Sequence, residues 1–175
     1  AYTLRDMERC GFLVDQEVLR QLGREYAQRI QEDRQQIYQL AGEQFNLNSP
    51  KQLGDILFGK LGLTGGKKTS KGWSTTADIL EEMADRHPIV PLVLDYRKYF
   101  KLNSTYVEAL LRLVGPDGRV RTQFDQTATA TGRISSNEPN LQNIPVRTAE
   151  GRQIRRAFVA GPGHVLVDAD YSQIE

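Results

Sequence analysis

The last apolar run of the chain carries two carboxylates at its end. Residues 165–170 read Val-Leu-Val-Asp-Ala-Asp, and because side chains alternate between the two faces of a strand, Asp168 and Asp170 are predicted to point the same way. Such a pair is common where a strand runs out into a solvated loop. It also suits a hard cation such as Mg²⁺, which takes one or two carboxylates and fills its other positions with waters and substrate phosphates. The pair alone leaves both interpretations open.

A second set of side chains with chemical potential lies in an irregular segment, residues 132–148. Its amides and guanidiniums belong to Arg133, Asn137, Asn140, Gln142, Asn143 and Arg147. Donors of this kind match the DNA minor groove, where every base pair presents acceptors in nearly the same place. Asn and Gln also bond readily to the backbone of their own loop. The residues alone leave this structural alternative open.

Basic residues are concentrated in two places, although the net charge of the chain is only +1. Residues 112–156 contain eight arginines and no lysine against four acidic residues, which favours a face for phosphate over an ordinary solvated surface with lysines mixed in. Residues 59–73 combine glycines with lysines, among them Lys67, Lys68 and Lys71. This stretch lacks the spacing of a phosphate-binding loop. It is predicted to be a flexible tip, either simply solvated or touching a DNA backbone.

Composition narrows the class of protein. A hydrophobic content of 39% with 26% charged residues is typical of a soluble globular chain. The single Cys10 excludes an internal disulfide, and no apolar run approaches the roughly 20 residues of a membrane span. We therefore expect a cytoplasmic protein without a membrane partner. His87 and His164 are too isolated in the sequence for a zinc site or a catalytic triad.

Helical periodicity predicts helices in the first two thirds of the chain. Tyr2 to Arg9 is predicted to be a short helix, and Asp15 is predicted to cap a long helix from Gln16 to Ala41. The apolar stripe of that helix is expected at Val18, Leu22, Tyr26, Ile30 and Ile37.

Further helices are predicted from capping signals. Ser49 begins a capping box for a helix that runs to about Phe58, and Ser74 or Thr75 is predicted to cap a helix that runs to Arg86. A second long helix, antiparallel to the first, is expected to start after Pro88. Its apolar face is predicted at Ile89, Val93, Tyr96, Phe100, Tyr106, Leu110 and Leu113.

Alternation replaces helical spacing after the turn signature at residues 115–118. Strands are predicted in residues 120–124, in the threonine series 127–131, in residues 153–159 and in residues 165–170, with a hairpin turn at 160–163. The predicted class is therefore α+β: a helical hairpin followed by antiparallel strands.

Four sequence motifs together resemble the family A DNA polymerases. They are DYSQIE at residues 170–175, QTATATGR at 126–133, PNLQNIPVRT at 139–148 and IRRAF at 154–158. The likeness is strong from about residue 88 onward and looser before it. It implies a thumb in residues 1–114, with a basic flexible tip at about 59–73, and the first part of an incomplete palm in residues 115–175.

The resemblance implies a DNA-directed DNA polymerase that transfers deoxynucleotides to a primer 3′ end. Two Mg²⁺ ions, primer-template DNA and deoxynucleoside triphosphates are the expected cofactors and partners, in a monomer of the bacterial cytoplasm and nucleoid. The chain stops before the second catalytic aspartate of the family, so this fragment alone is expected to be inactive. The alternatives are a non-catalytic DNA-clamping module and a helical interaction protein.

The resemblance also assigns the residues of the catalytic motif. Asp170 is expected to be a catalytic metal ligand together with the backbone carbonyl of Tyr171, and Glu175 to act as a steric gate under the incoming sugar. The nucleotide is expected to meet Tyr171, Ser172, Gln173, Ile174 and Glu175. Asp168 stands where relatives vary and is not counted as a ligand.

DNA contacts are implied at further positions. Arg133 is expected to reach the minor groove near the primer end, with Gln142 and Asn143 behind it. Backbone contacts are expected from Asn140, Arg147, Lys67, Lys68, Lys71, Asn103 and Ser104. Asn103 stands where many relatives carry a lysine, which weakens the case for an ion pair there.

Overall fold

Local capping fixes where the helices begin in the computed structural model, which describes residues 2–70 and 72–171. Asp15 Oδ1 accepts the backbone N–H groups of Glu17 (3.0 Å) and Val18 (3.2 Å), so the long helix starts at Gln16 as predicted. The α-helices of the described residues are α1 Tyr2–Cys10, α2 Gln16–Ala41, α3 Pro50–Gly54, α4 Ala77–Glu81, α5 Ile89–Lys101, α6 Ala109–Leu113 and α7 Ala149–Arg155.

The strands are short and pair in twos. They are β1 Phe12–Leu13, β2 Lys68–Thr69, β3 Gly72–Trp73, β4 Arg119–Val120, β5 Gln123–Asp125 and β6 Ser135–Asn137. The antiparallel pairs are β1 with β4, β2 with β3, and β5 with β6. Long helices with small antiparallel sheets confirm the α+β class.

The chain folds into two compact units. Residues 1–23 and 104–175 form one, called here the terminal unit, and residues 24–103 form the other, called the central unit. The predicted turn is present, since Gly118 N–H donates to the Gly115 carbonyl at 2.9 Å. A thumb and palm division at residue 114 concerns the subdomains of a complete polymerase and stays a prediction.

The core of the central unit contains the apolar face of α2 and of α5. Its largest fully buried side chains include Ile37, Leu53, Leu57, Leu80, Met83, Ile89, Val93 and Tyr96. Asp33 lies between Ile30 and Ile37 on the buried stripe of α2, with 1% of its surface exposed. Hydrophobic periodicity could not predict a carboxylate at that position.

The second long helix is interrupted, and the predicted apolar face was partly wrong. A π-helical turn, Leu102–Glu108, separates α5 from α6 and adds a residue to the turn, which shifts the buried face. Phe100 (37%), which lies before this turn, and Leu113 (45%) are exposed, whereas Tyr106 and Leu110 of the predicted face are buried. Upstream, α4 ends at Glu81, five residues earlier than predicted. Its N-cap is Thr76, whereas the predicted cap Thr75 is buried and bonded to Arg97.

Three of the predicted strands were wrong, two of them near the end of the chain. Most of residues 153–159 belongs to α7 or the turn after it, because Thr148 Oγ1 accepts the Gly151 N–H (3.1 Å) and starts a helix. Only Phe158 pairs as a strand residue, in an isolated bridge to Val14. Residues 165–170 are exposed and pair with no strand of the described residues.

The first predicted strand is divided, and the threonine series has no strand. Residues 119–125 contribute β4 and β5, and β5 pairs with β6 in the register Phe124 to Ser136. Residues 126–134 form the loop between β5 and β6. None of the described helices is long and apolar enough to cross a bilayer.

Candidate nucleic-acid interface

Threonines shape the loop after β5 through local hydrogen bonds. Asp125 Oδ1 accepts from Thr127 N–H (2.7 Å) and Thr127 Oγ1 (2.8 Å), and these bonds lower the pKa of Asp125. Thr129 Oγ1 donates to the carbonyl of Arg133 at 2.6 Å. The hydroxyls that suggested a pleated strand instead close a turn, since Asp and Thr compete effectively for nearby backbone groups.

Gln142 is bonded inside its own loop through both ends of its amide. Its Nε2 donates to the Ile134 carbonyl at 2.8 Å, and its Oε1 accepts the Ser136 N–H at 3.2 Å. Asn140 caps a 3₁₀ turn at Leu141–Asn143 by accepting the Gln142 N–H at 3.0 Å. Both amides therefore hold the loop together, the structural alternative that the sequence left open.

Two buried hydroxyls lie beneath this loop. Thr122 Oγ1 and Ser136 Oγ are 2.6 Å apart, and the two residues are 7% and 1% exposed. Thr122 Oγ1 is also 2.8 Å from the carbonyl oxygens of Asn137 and Pro139. The burial of both residues was not predicted, because a serine and a threonine in or beside strands give no signal of burial.

Three other predicted contact residues of the terminal unit are exposed. The side chains of Arg133, Asn143 and Arg147 are accessible. The carbonyl of Asn143 accepts the hydroxyl of Tyr106 at 2.7 Å. Tyr106, predicted only as part of a helix face, thus fixes the backbone next to a predicted DNA contact.

Several arginines of the basic stretch are engaged within the protein. Arg121 forms a two-pronged ion pair with Asp117, at 3.1 and 2.6 Å, and this pair lowers the pKa of Asp117 to about 2. Arg119 donates to the Gly11 carbonyl at 3.1 Å, and Arg152 to the Arg147 carbonyl at 2.8 Å. The charge excess predicted a phosphate-binding face, and fewer than all eight arginines of this stretch could contribute to it.

The acidic end of the chain is only partly described. Asp168, Asp170 and Tyr171 are exposed, Tyr171 to 83%. Because residues 165–170 form no strand, strand alternation does not place the two carboxylates on one face. The predicted positions Ser172, Gln173, Ile174 and Glu175 lie outside the described residues. A carboxylate and a backbone carbonyl are oxygen donors that suit Mg²⁺, although no group of three or more His, Cys, Asp or Glu that could hold a metal occurs within residues 2–70 and 72–171.

The lysine-rich loop of the central unit is a hairpin of β2 and β3. Trp73 packs on Phe58 with ring centroids 4.9 Å apart, and Lys68 Nζ lies 5.4 Å from the centre of the Trp73 ring. The Ser74 N–H donates to the Lys67 carbonyl at 2.8 Å. Lys71 lies outside the described residues. The glycines and lysines predicted a flexible loop here, and the hairpin was not predicted.

Two arginines hold the ends of this hairpin. Arg86 Nη1 donates to the Thr64 carbonyl at 2.6 Å. Arg97 donates to both the carbonyl and the hydroxyl of Thr75, the latter at 3.0 Å, and its partial burial lowers its pKa. The lysines are thus carried on an anchored element.

Asn103 and Ser104 occupy the π-helical turn after α5. Asn103 is only 8% exposed, which disfavours the direct phosphate contact predicted for it. Ser104 is half-buried.

Comparison with known proteins identifies the family. A sequence model described as DNA polymerase family A matches residues 16–175. DNA polymerase I of Caldicellulosiruptor bescii is 57% identical over 98% of this chain and 20% of its own length, and DNA polymerase I of Bacillus subtilis is 52% identical over 100% and 20%. The chain thus spans about a fifth of these relatives.

A solved structure agrees with this result. The polymerase domain of Pol1 from M. smegmatis, in complex with DNA primer-template and dNTP, superimposes with a TM-score of 0.87 at 46% identity, over 94% of this chain and 29% of that one. The sequence match covers nearly all of the chain and the fold agrees with it: the chain belongs to DNA polymerase family A.

Proposed function

We propose that this chain is the part of a template-directed DNA polymerase that holds primer-template DNA and supplies the first catalytic carboxylate. The observation that carries the proposal is the exposure of Arg133 and Asn143 on either side of a loop closed by Gln142. The M. smegmatis relative, whose structure contains DNA primer-template and dNTP, adds support.

The proposed DNA contacts differ in kind. Arg133 and Asn143 donate to minor-groove acceptors, which lie at nearly the same place in every base pair and so allow copying of any sequence. Arg147, Lys67, Lys68 and Lys71 neutralise phosphates, a contact that gives affinity without sequence preference. Gln142 and Asn140 contribute by shaping the loop, and Ser104 is the more accessible of the two predicted residues in the π-helical turn.

The proposed chemistry is phosphoryl transfer to a primer 3′ end. Family A DNA polymerases are generally metal-dependent. Here Asp170 and the Tyr171 carbonyl would hold Mg²⁺, two ions of which stabilise the attacking and leaving oxygens when bound. Residues Ser172 to Glu175 would line the nucleotide site, with Glu175 excluding a 2′-hydroxyl. The complete protein would act as a monomer in the bacterial cytoplasm.

A non-catalytic DNA clamp is the second candidate. It is favoured by the bonds of the Gln142 amide within its own loop, which are what a motif retained for structure would have. The two candidates differ in one measurable property, Mg²⁺-dependent primer extension by a complete polymerase that contains this segment and loses activity on Asp170→Asn.

Duplex binding tests the DNA-holding role directly. Fluorescence anisotropy of a labelled primer-template with the 175-residue chain should show binding that weakens with salt. Arg133→Ala should weaken it about tenfold at fixed salt, the size expected for one hydrogen-bonded groove contact. The control is Arg5→Ala, an exposed arginine of α1. Equal reductions in both variants, or no binding by the folded chain, would contradict the role given to Arg133.

A further inference from the structure

Apart from Tyr106, Thr122 and Ser136 are the only buried residues with polar side chains among the described residues of the terminal unit. A buried hydroxyl needs hydrogen-bond partners, because water is not there to replace them. The two residues partner each other at 2.6 Å. They come from different parts of the chain, since Thr122 lies between β4 and β5 and Ser136 lies within β6.

The two hydroxyls contact backbone groups of the loop as well as each other. Ser136 Oγ accepts the Leu141 N–H at 3.2 Å and lies 3.2 Å from the Pro139 carbonyl. Thr122 Oγ1 approaches the carbonyls of Asn137 and Pro139. Each hydroxyl has one proton to donate and two lone pairs that accept. With one proton in the bond between the hydroxyls, the other is left for the Asn137 or the Pro139 carbonyl, and Ser136 Oγ accepts the Leu141 N–H, along the segment that leads into the 3₁₀ turn.

Gln142 closes the same network from the other side. Its amide joins the Ile134 carbonyl to the Ser136 N–H, so residues 134–142 are bonded from both ends onto Ser136. Arg133 is the residue immediately before this closed segment, and Asn143 is the residue immediately after it. The directions of both exposed side chains therefore depend on the closed segment between them.

We propose that Thr122 and Ser136 are positioning residues for Arg133 and Asn143, and that Gln142 acts in DNA binding through this loop. The partner in this inference, a DNA duplex, rests on the proposed function. The hydrogen-bond network itself does not. A fully satisfied buried polar network holds one conformation, whereas removal of one member leaves others unsatisfied. Neither hydroxyl touches DNA in this proposal.

The test compares Thr122→Val with Thr122→Ser. Valine keeps the shape of threonine without the hydroxyl, and serine keeps the hydroxyl. We expect Thr122→Val to weaken primer-template binding about tenfold and Thr122→Ser to restore most of the affinity. In an Arg133→Ala/Asn143→Ala background, Thr122→Val should cause a much smaller further reduction, because both side chains that it positions are already absent. A full tenfold reduction in that background would overturn the proposal.

Amide hydrogen exchange gives a second readout that does not depend on DNA. Thr122→Val should accelerate exchange at Leu141 and Ser136 N–H and leave that of α2 unchanged, with Thr122→Ser close to the parent chain. Unchanged protection in Thr122→Val would overturn the proposal whether or not DNA binds. Conversely, faster exchange with no duplex binding by the parent chain would reject the proposed function and with it the positioning of DNA contacts.

Discussion

Asp33 shows at the scale of one residue how burial and charge compete. It is 1% exposed, and its Oδ1 is 3.5 Å from Arg29 Nε. Its Oδ2 has no hydrogen-bond partner within the described residues. Arg29 also pairs with Asp95 at 2.8 Å, so the cation is shared. Burial, the largest influence, raises the pKa of Asp33 above its ordinary value of 3.8.

A raised pKa means that the folded chain binds the proton of Asp33 more tightly than the unfolded chain does. Folding stability therefore falls as the pH rises from 3.8 through the raised value, and the full destabilisation is present at neutral pH. We expect Asp33→Asn, which removes the charge and keeps the shape, to raise the unfolding temperature by a few degrees at about pH 7.5. The gain should disappear below pH 3.8, where aspartate is also neutral.

The matched control is Glu32→Gln, the same charge change at an exposed neighbour on α2. It should shift the unfolding temperature little at either pH. A decrease in stability of Asp33→Asn near neutral pH would show that the ion pair with Arg29 outweighs the cost of burial. Calorimetry or circular dichroism at the two pH values measures the difference.

Gln142 shows what residue type can and cannot predict. An amide-rich loop indicated a polar site, and the chain does have a polar loop there. The partners of the Gln142 amide are the Ile134 carbonyl and the Ser136 N–H, and their positions depend on how β5 pairs with β6. Nothing local in the sequence specifies that pairing. The role of Asp170 in metal binding stays a prediction.

At the scale of elements, helices were predicted well because their signals are local. Asp15 marks the start of α2 and Ser49 that of α3, whose cap accepts the Gln52 N–H at 3.4 Å. Strands depend on partners elsewhere in the chain, so residues 165–170 looked like a strand from alternation alone. The π-helical turn after α5 was also unpredictable, because a single added residue changes the phase of the buried face without changing composition.

The start of α7 packs closely against the segment before it, which gives an element-scale prediction. A Cβ on the buried Gly151 would lie 2.6 Å from Pro145 Cβ and would also meet the Pro145 carbonyl. Gly151→Ala must therefore push α7 away from Pro145, and we expect the free energy of unfolding to fall by about 1–3 kcal/mol. Denaturant melts measure this decrease.

Gly161→Ala is the control for this substitution. The nearest atoms to its Cβ would be 3.7 Å away, an ordinary contact, and the residue belongs to the same unit. The free energy of unfolding of Gly161→Ala should stay within about 0.5 kcal/mol of that of the parent chain. If Gly151→Ala were equally mild, the contact between α7 and Pro145 would be looser than the structure indicates.

At the scale of the whole molecule, positive charge is divided between two kinds of surface. The terminal unit presents exposed arginines, including Arg133 and Arg147, whereas the central unit presents Lys67 and Lys68 on an anchored hairpin. Arginine suits directed hydrogen bonds, and lysine acts as a compact point charge. The charge pattern therefore favours groove contact by the first surface and phosphate contact by the second.

Salt dependence separates these contributions. The slope of log affinity against log salt concentration changes by about 0.9 for each phosphate of B-DNA that the protein no longer neutralises. We expect the double substitution Lys67→Gln with Lys68→Gln to flatten the slope by about 1 to 2, whereas Arg133→Ala lowers affinity with a smaller change of slope. Lys51→Gln, an exposed lysine on α3, should change neither quantity. An unchanged slope in the double variant would remove the hairpin from the DNA interface.

Trp73 gives the hairpin an optical property of its own. It is the single tryptophan of the chain, so excitation at the red edge of the absorption band selects it over the seven tyrosines. Its ring packs against Phe58 in a tilted arrangement and is faced by the Lys68 ammonium, and both neighbours influence emission colour and quenching. A shift of intrinsic fluorescence on adding a duplex would thus report this one loop, with no attached dye.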